Sequence, residues 1–288
     1  MNGIKRVGVV GAGLMGSGIA EVCARSGLDV LVAEVNPAAL QAGRQRITAS
    51  LDRALRSGKL TEAGRDATLE RLTFSTDMDD FADRDLVVEA VAEDERIKTD
   101  IFAALDKTVT AADAILASNT SSTPIMKLAM ATQRPAQVIG VHFFNPVPVL
   151  KLVEIIPSRL TGAGTQARAE AFASLHLGKT VVHSPDRAGF VVNALLIPYL
   201  LSAIRMLEAG VATAEDIDNS MVLGCAHPMG PLDLIDLIGL DTTKAIADSM
   251  YEEFKEPLYA PPPLLLRLVE AGLLGKKSGR GFHQYATR

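Results

Sequence analysis

A histidine and a glutamate in the middle of the chain are the residues best suited to acid–base chemistry. His142 lies near the end of the apolar run 138–144, the turn sequence Asn-Pro-Val-Pro follows at 145–148, and the run 149–156 has the pattern of a second strand. In a hairpin closed by this turn, His142 faces Glu154. A carboxylate beside a histidine orients the imidazole and favours its protonated form, as a general base that removes a hydroxyl proton requires. Spacing alone leaves equally open a structural histidine that only bonds a strand carboxylate.

Two further polar residues stand at or inside apolar segments. Ser118 begins the sequence Ser-Asn-Thr-Ser directly after the apolar strand 114–117, and Asn193 lies inside the apolar stretch 188–204. Ligands of open α/β sheets gather at the carboxyl ends of the strands, so we expect Ser118 at the same edge as His142. A buried amide requires hydrogen-bond partners. Asn193 therefore either bridges helices or reaches a substrate oxygen.

A glycine-rich turn follows the first apolar strand, 6–10, and opens a helical pattern. Its residues are Gly11, Ala12, Gly13, Leu14, Met15 and Gly16. The first glycine permits a tight turn, the second lets a pyrophosphate approach the backbone, and the third allows the helix to pack closely on the strand. Free N–H groups at the start of the helix attract phosphate. The segment therefore predicts a dinucleotide site.

The second predicted strand, 30–34, ends in Glu34. This carboxylate follows the glycines at about the distance expected for the group that binds the adenosine ribose hydroxyls. It would repel the 2′-phosphate of NADP, and no arginine follows it closely. We therefore expect the cofactor to be NAD.

Composition excludes several classes of protein. The chain has 288 residues, 48% of them hydrophobic and 22% charged, as in a globular protein of two ordinary domains. Its net charge of −5 and pI near 5.6 provide no whole-chain positive field for nucleic acid or an anionic membrane. Cys23 and Cys225 are too far apart in sequence to suggest a disulfide framework or a metal site. For this reason we expect no metal. The first residues lack a signal-peptide pattern, so we expect a cytoplasmic protein.

The order of hydrophobic patterns predicts a doubly wound, mostly parallel sheet of the Rossmann type up to about residue 156. The predicted strands are 6–10, 30–34, 86–90, 114–117 and 138–144. The predicted helices are 16–26, 37–57, 61–72, 96–107 and 123–131. A single helix would suffice between the second and third of these strands. The two helical patterns at 37–72 therefore indicate an inserted helical hairpin, which we expect to lean off the sheet.

Only helical patterns follow the polar joint 184–187. They cover 191–209, 213–223, 232–254 and 264–271. We therefore expect a nucleotide-binding domain at 1–184 and an all-helical domain at 185–288, an organisation that normally places a ligand cleft between the two. The uncharged stretch 188–204 contains Asn193 and Pro198, which indicates a buried helix rather than a membrane span.

Basic residues cluster in the predicted hairpin of this acidic chain. Between residues 43 and 60 they are Arg44, Arg46, Arg53, Arg56 and Lys59, against Asp52 alone. Such a cluster is either a solvated helix face or a site for a second phosphorylated ligand. The segment 275–281, which contains two lysines and an arginine among glycines, leaves the same choice between a mobile basic loop and a phosphate clamp.

Six motifs in the same order as in a known family extend across the chain from about residue 4 to 286. They are the glycine-rich turn 9–16, Ser-Asn-Thr-Ser-Ser at 118–122, His-Phe-Phe-Asn-Pro at 142–146, Leu-Val-Glu at 152–154, Gly-Phe-Val-Val-Asn at 189–193 and His-Pro-Met-Gly-Pro at 227–231. Together they resemble the 3-hydroxyacyl-CoA dehydrogenases, and most closely the stand-alone bacterial 3-hydroxybutyryl-CoA dehydrogenases.

The resemblance implies a role for each candidate residue. His142 matches the general base toward the 3-hydroxyl, Glu154 its partner, and Ser118 with Asn193 the residues that bind the reacting oxygen and the thioester region. Dinucleotide contacts are implied for Glu34, Glu93, Lys98, Ser118, Asn145 and Lys277. Contacts to the acyl-CoA substrate are implied for the hairpin at Ser50, with Arg53, Arg56 and Lys59 as the candidates to hold its phosphates. The second domain is implied to form a homodimer.

The activity implied is the reversible, NAD-linked interconversion of (S)-3-hydroxyacyl-CoA, of short chain, and 3-ketoacyl-CoA. The residues leave two other functions open. One is the oxidation of a free hydroxy acid or sugar acid on the same scaffold. The other is a non-catalytic dinucleotide-binding protein, although a pure binder would need none of Ser118, His142, Glu154 and Asn193.

Overall fold

The computed structural model describes residues 3–285, and the chain divides into two compact units between Arg187 and Ala188. The first unit contains a single eight-stranded sheet with strand order β3-β2-β1-β4-β5-β6-β7-β8. All neighbouring strands are parallel except β6 and β7, which are antiparallel. The strands are β1 Arg6–Val10, β2 Asp29–Ala33, β3 Leu72–Ser75, β4 Leu86–Glu89, β5 Ile115–Ser118, β6 Val138–Phe143, β7 Leu152–Pro157 and β8 Thr180–His183. The predicted doubly wound sheet is confirmed.

Eleven α-helices occur in the described part of the chain, and short helical turns lie at 78–81, 135–137, 172–176, 257–259 and 276–278. In the first unit the helices are α1 Leu14–Arg25, α2 Pro37–Arg56, α3 Glu62–Glu70, α4 Glu95–Thr108, α5 Ile125–Met130 and α6 Ala163–Ala171. In the second unit they are α7 Val192–Glu208, α8 Ala214–Cys225, α9 Pro231–Ile238, α10 Leu240–Phe254 and α11 Pro263–Glu270.

Two edge strands, β3 and β8, have no counterpart among the predicted elements. Each has only four residues and is partly exposed, so neither shows a long apolar run. Leu72, the first residue of β3, falls at the end of the predicted helix 61–72, which ends earlier, at Glu70. Short edge strands carry a weak hydrophobic pattern because one side of the strand and much of its surface face solvent.

The inserted helical hairpin is formed by α2 and α3 and packs against α1. Ile47 and Leu51 of α2 are fully buried in the same core as the sheet, and both α2 and α3 contact α1. A β-carbon at Gly43 would lie 2.3 Å from the β-carbon of Ala12, so glycine at this position lets α2 approach the glycine-rich turn. The hairpin is therefore a second helical layer beside the predicted nucleotide site.

The second unit has its own helical core, centred on Leu200, Leu232 and Leu265. The single helix predicted at 232–254 is two helices, because Gly239, with φ of +106°, interrupts it between α9 and α10.

Within residues 3–285, no helix is long and apolar enough to span a membrane. The same residues contain no group of three or more histidine, cysteine or acidic side chains arranged to hold a metal ion.

Candidate active site

His142 and Glu154 form a direct pair across the antiparallel strands β6 and β7. The strand register places the two residues opposite each other, and the Nδ1 atom of His142 lies 2.7 Å from the Oε2 atom of Glu154. Both side chains are buried, Glu154 completely. The predicted pairing is confirmed. It follows from the turn at 145–148, because the position of the turn fixes which residues of a hairpin face each other.

Asn119 fixes the backbone next to His142. The parallel ladder between β5 and β6 ends at Ser118 opposite Gly140. Beyond it, the side-chain oxygen of Asn119 accepts a hydrogen bond of 2.8 Å from the backbone N–H of Phe143. The side chain of Asn119 thus adds a hydrogen bond between the segments of β5 and β6 just beyond the end of their backbone pairing. Asn119 belongs to the motif at 118–122, but the sequence pattern predicted no role for its side chain.

The glycine-rich turn has the shape that a dinucleotide diphosphate requires. Gly11 has φ of +95°, and a β-carbon at Gly16 would lie 1.8 Å from the carbonyl oxygen of Gly11. A β-carbon at Gly13 would meet nothing within 4 Å, so this position is open to an approaching ligand. Among the side chains of residues 3–285, none caps the start of α1 at Gly13. Its first N–H groups can therefore donate to phosphate oxygens. Leu14 and Met15 begin the helix.

Glu34 follows β2 and bonds the glycine-rich turn. Its Oε1 atom accepts from the backbone N–H of Ala12 at 2.7 Å and its Oε2 atom from that of Val35 at 3.1 Å. On the other side of the turn, the guanidinium of Arg46 donates to the carbonyl oxygen of Ala12 at 3.1 Å. A carboxylate has about four acceptor positions, so Glu34 can keep these bonds and still accept a ribose hydroxyl.

Lys98 of α4 lies between two glutamates at the carboxyl edge of the sheet. Its Nζ atom is 2.7 Å from Glu89 and 3.2 Å from Glu93. Glu93 also accepts from the hydroxyls of Thr120 and Ser122. Burial raises the pKa of the Glu93 carboxyl, but Lys98 and these hydroxyls outweigh it and hold the pKa below its ordinary value. Glu93 and Lys98, both expected at the dinucleotide, are thus brought together.

Ser118 lies at the predicted edge of the sheet, opposite Glu89 of the neighbouring strand. It is fully buried, and its hydroxyl donates to the Oε2 atom of Glu89 at 2.6 Å. The hydroxyl oxygen of Ser118 in turn accepts from the backbone N–H of Thr120 at 3.1 Å. The expected contacts of Ser118 with substrate and dinucleotide remain predictions.

The residues expected to bind CoA lie on α2 and the turn that follows it. Ser50 is bonded to the buried carboxyl of Glu21 on α1. Arg53, Arg56 and Lys59 are exposed, so their charges are accessible to a ligand in solution. Two other arginines of the hairpin region are engaged within the protein. The guanidinium of Arg65 binds Asp52 at 2.7 Å, and that of Arg44 lies 5.6 Å from the centre of the Phe74 ring.

In the second unit, Asn193 is buried in the first turn of α7, and Lys277 lies in the loop 275–281. The Nζ atom of Lys277 contacts both carboxylate oxygens of Asp241, at 2.6 and 2.7 Å. Its neighbour Lys276 pairs with Asp233 at 3.0 Å. Aspartates thus pair with both lysines, and the assignment of Lys277 to the dinucleotide remains a prediction. Asn145, the remaining expected cofactor residue, is exposed in the β6–β7 turn.

Comparisons with known proteins cover both units. Residues 6–187 match the model of the 3-hydroxyacyl-CoA dehydrogenase NAD-binding domain, and residues 189–285 match that of the family's C-terminal domain. A 3-hydroxybutyryl-CoA dehydrogenase of Mycobacterium tuberculosis is 64% identical over 282 residues, which are 98% of this chain and 99% of that protein. The rat mitochondrial hydroxyacyl-coenzyme A dehydrogenase is 44% identical over 98% of this chain and 91% of its own.

Solved structures give the same result. The crystal structure of M. tuberculosis FadB2 superimposes with a TM-score of 0.98 at 64% identity, covering 99% of this chain and all of that one. The (S)-3-hydroxybutyryl-CoA dehydrogenase PaaH1 of Ralstonia eutropha gives a TM-score of 0.93 at 45% identity, with 99% and 100% covered. The chain therefore belongs to the 3-hydroxyacyl-CoA dehydrogenase family and consists of that family's NAD-binding and C-terminal domains.

Proposed function

We propose that the protein interconverts (S)-3-hydroxyacyl-CoA and 3-ketoacyl-CoA with NAD, and that its substrate is the short-chain 3-hydroxybutyryl-CoA. The observation that carries this proposal is the buried His142–Glu154 pair, which stands in the same sheet as the glycine-rich turn. The relative that is 64% identical, named a 3-hydroxybutyryl-CoA dehydrogenase, supports the four-carbon substrate.

His142 is the general base of the proposed reaction. The Nδ1 atom is bonded to Glu154 at 2.7 Å, so the proton of the 3-hydroxyl goes to the Nε2 atom. Bound NAD supplies the acceptor for the hydride that leaves C3. In the reverse direction His142 returns the proton to the ketone oxygen. A base held in place in this way contributes about 10² to 10⁴-fold to the rate.

Glu154 orients the imidazole and stabilises its protonated form. Because the carboxylate is fully buried, water does not compete for the oxygen that faces His142. The bond to Nδ1 requires a hydrogen on that nitrogen, which leaves Nε2 as a proton acceptor before the reaction. The pair therefore selects one tautomer and compensates the charge that develops on the ring.

The other candidate residues divide between the two ends of the ligands. The N–H groups at the start of α1 hold the diphosphate of NAD, and Glu34 binds the adenosine ribose and disfavours a 2′-phosphate. Ser50 with Arg53, Arg56 and Lys59 holds the phosphorylated end of CoA, where arginine is suited to bind phosphate oxygens. Asn193 holds an oxygen of the substrate. Asn145 and Lys277 complete the contacts to the dinucleotide.

In this proposal the second unit forms a homodimer. The proposed location of the protein is the cytoplasm. Large apolar side chains are exposed on two of its helices, with Leu195 on α7 74% exposed and Leu223 on α8 82% exposed. Burying such side chains against a second copy is favourable. Cys23 and Cys225 are free, as is usual in a reducing compartment. Light scattering should give twice the chain mass for the wild type and a lower mass for L195D; a monomeric wild type would contradict the dimer.

The oxidation of NADH by acetoacetyl-CoA tests the proposed reaction. We expect turnover with acetoacetyl-CoA and none with free acetoacetate, because the residues of the helical hairpin bind the phosphorylated end of CoA, which free acetoacetate lacks. A series of 3-ketoacyl-CoA substrates from C4 to C16 then tests chain length, with the highest kcat/KM expected at C4. Equal rates with acetoacetate, or no turnover with any CoA ester, would contradict the proposal.

A further inference from the structure

Glu89 is a completely buried carboxylate that has no part in the proposed chemistry. It ends strand β4, where its side chain has 0% relative exposure. The ammonium group beside it, on Lys98, is only 1% exposed. A buried ion pair is weak evidence for stability, since the free energy lost by removing both charges from water offsets their attraction. Its presence at the carboxyl edge of the sheet therefore needs another explanation.

The two oxygens of Glu89 accept three hydrogen bonds from three different segments. The Oε1 atom accepts from Lys98 of α4 at 2.7 Å and from the backbone N–H of Val91 at 2.8 Å. The Oε2 atom accepts from the Ser118 hydroxyl at 2.6 Å. Glu89 thus ties together the end of β4, the helix α4 and the last residue of β5.

The two side chains held by Glu89 both lead to Glu93, which lies closer to solvent. Lys98 reaches Glu93, whose side chain is 30% exposed, at 3.2 Å. Ser118 accepts from the backbone N–H of Thr120, and the Thr120 hydroxyl contacts Glu93. Two chains of contacts therefore lead from the buried carboxylate to Glu93. The positions of Glu93 and Lys98 depend on the same fixed point.

We propose that Glu89 is a positioning residue for the nicotinamide nucleotide: it fixes Lys98 and, through Ser118 and Thr120, Glu93. This inference rests on the proposed cofactor contacts of Lys98 and Glu93. In this proposal the buried Ser118 hydroxyl links Glu89 to the backbone of Thr120, in the loop after β5. Positioning groups of this kind matter because small displacements of a binding residue cost much of its effect.

Replacing Glu89 with glutamine keeps the size of the side chain but cannot preserve its hydrogen bonds. A glutamine has one acceptor oxygen and one NH₂ donor. If the oxygen faces Lys98 and Val91, the NH₂ group faces Ser118, whose hydroxyl must then turn from donor to acceptor. Lys98 also loses its buried counter-charge, so it is drawn toward Glu93 and away from its place. The variant E89Q should therefore disturb both contact chains.

The experiment compares E89Q with D106N, a matched control in the same unit. Asp106 lies on α4, as Lys98 does, but near the opposite end of the helix, and it forms a largely buried ion pair with Arg134 at 2.8 Å. The dissociation constant of NADH is measured by its fluorescence, the steady-state constants with acetoacetyl-CoA, and the folded fraction by circular dichroism. For E89Q we expect the NADH dissociation constant to rise by about tenfold or more and kcat to fall similarly, with the KM for acetoacetyl-CoA within about twofold. For D106N we expect all three constants to stay near those of the wild type.

Two results would overturn the proposal. One is a folded E89Q that binds NADH as tightly as the wild type. The other is a loss of NADH affinity that is equal in E89Q and D106N, which would show a general effect of breaking a buried ion pair. Because NADH binding is measured without substrate, this test stands even if acetoacetyl-CoA is not reduced. Failure of the proposed reaction and failure of the positioning role are therefore distinguishable.

Discussion

Each of the two units contains a histidine paired with a carboxylate at the same distance. The two pairs differ in how exposed the histidine is and in what else the carboxylate binds. In the first unit the Nδ1 atom of His142 lies 2.7 Å from Glu154, and in the second the Nε2 atom of His283 lies 2.7 Å from Asp218. The His142 side chain is 7% exposed and that of His283 is 28% exposed. Distance alone therefore does not identify the catalytic histidine.

The surroundings of the carboxylates separate the two pairs. Asp218 also accepts from the backbone N–H groups of Leu232 and Asp233, so it caps the start of α9 and holds His283 against it. Glu154 instead lies inside a strand, where the sheet already satisfies the backbone. Asp218 therefore joins a helix start to His283. Glu154 orients an imidazole at the edge of the sheet where ligands of α/β proteins bind.

Replacing His142 with glutamine should have the largest effect. We expect kcat to fall by about 10² to 10⁴-fold, because glutamine cannot accept the hydroxyl proton. NADH affinity should stay nearly unchanged, since His142 is proposed to act on the substrate. Steady-state kinetics and NADH fluorescence titration on the same preparation provide the measurement. A variant with ordinary turnover would show that His142 is not the base.

The matching substitution in the second unit, H283Q, should affect stability instead. Losing the bond to Asp218 should lower the free energy of unfolding by about 1 kcal/mol, reduced from the value of a buried pair by the partial exposure of His283. Activity should stay within about twofold of the wild type. Urea unfolding and acetoacetyl-CoA reduction measure the two quantities. If kcat fell as far as in H142Q, the distinction between the two pairs would be lost.

Asn119 offers a test of how the first pair is supported. Its side-chain oxygen accepts from the N–H of Phe143, directly after His142. We expect N119L, which has a similar size but no acceptor, to lower kcat by about tenfold, whereas N119D, which keeps an acceptor oxygen, should retain more activity. The ratio of the two kcat values is the measurement. Equal kcat values for the two variants would argue against a role for this bond.

A third buried carboxylate, Glu21 of α1, should give the smallest effect. Burial raises the pKa of its carboxyl above the ordinary value, although Ser50 and Arg25 oppose the shift. The folded chain then binds this proton more tightly than the unfolded chain, so ionisation of Glu21 at neutral pH costs stability.

E21Q should therefore be more stable than the wild type at pH 7, by about 0.5 kcal/mol. The difference should shrink as the pH falls through the raised pKa toward 4.5, because Glu21 of the wild type then becomes protonated. Urea unfolding at several pH values measures this. A loss of stability in E21Q at pH 7 would show that its partners outweigh burial.

The features that can be predicted from the sequence are those that follow from local periodicity. The pairing of His142 with Glu154 follows from a single turn, and the glycine-rich turn is a continuous segment with a known geometry. The pair of His283 and Asp218 joins residues 65 positions apart in a helical unit, where no strand register links them. Its existence depends on how the helices pack, which the sequence pattern does not specify.

The role of Ser118 shows a different limit. Its position at the strand end is predicted correctly, but the direction of its hydroxyl depends on Glu89 of the neighbouring strand. A glutamate at the end of the apolar run 86–89 was the signal that could have shown this, because a carboxylate at a buried strand end needs partners. Which partner it takes depends on the order of strands in the sheet.

A crystal structure of the enzyme with NAD and acetoacetyl-CoA, which cannot react together, is the most direct test of the role of His142. We expect the 3-keto oxygen to lie within hydrogen-bonding distance, about 2.6 to 3.2 Å, of the Nε2 atom of His142, with Glu154 still bonded to Nδ1. A 3-keto oxygen bound to another side chain, with His142 out of reach, would contradict it.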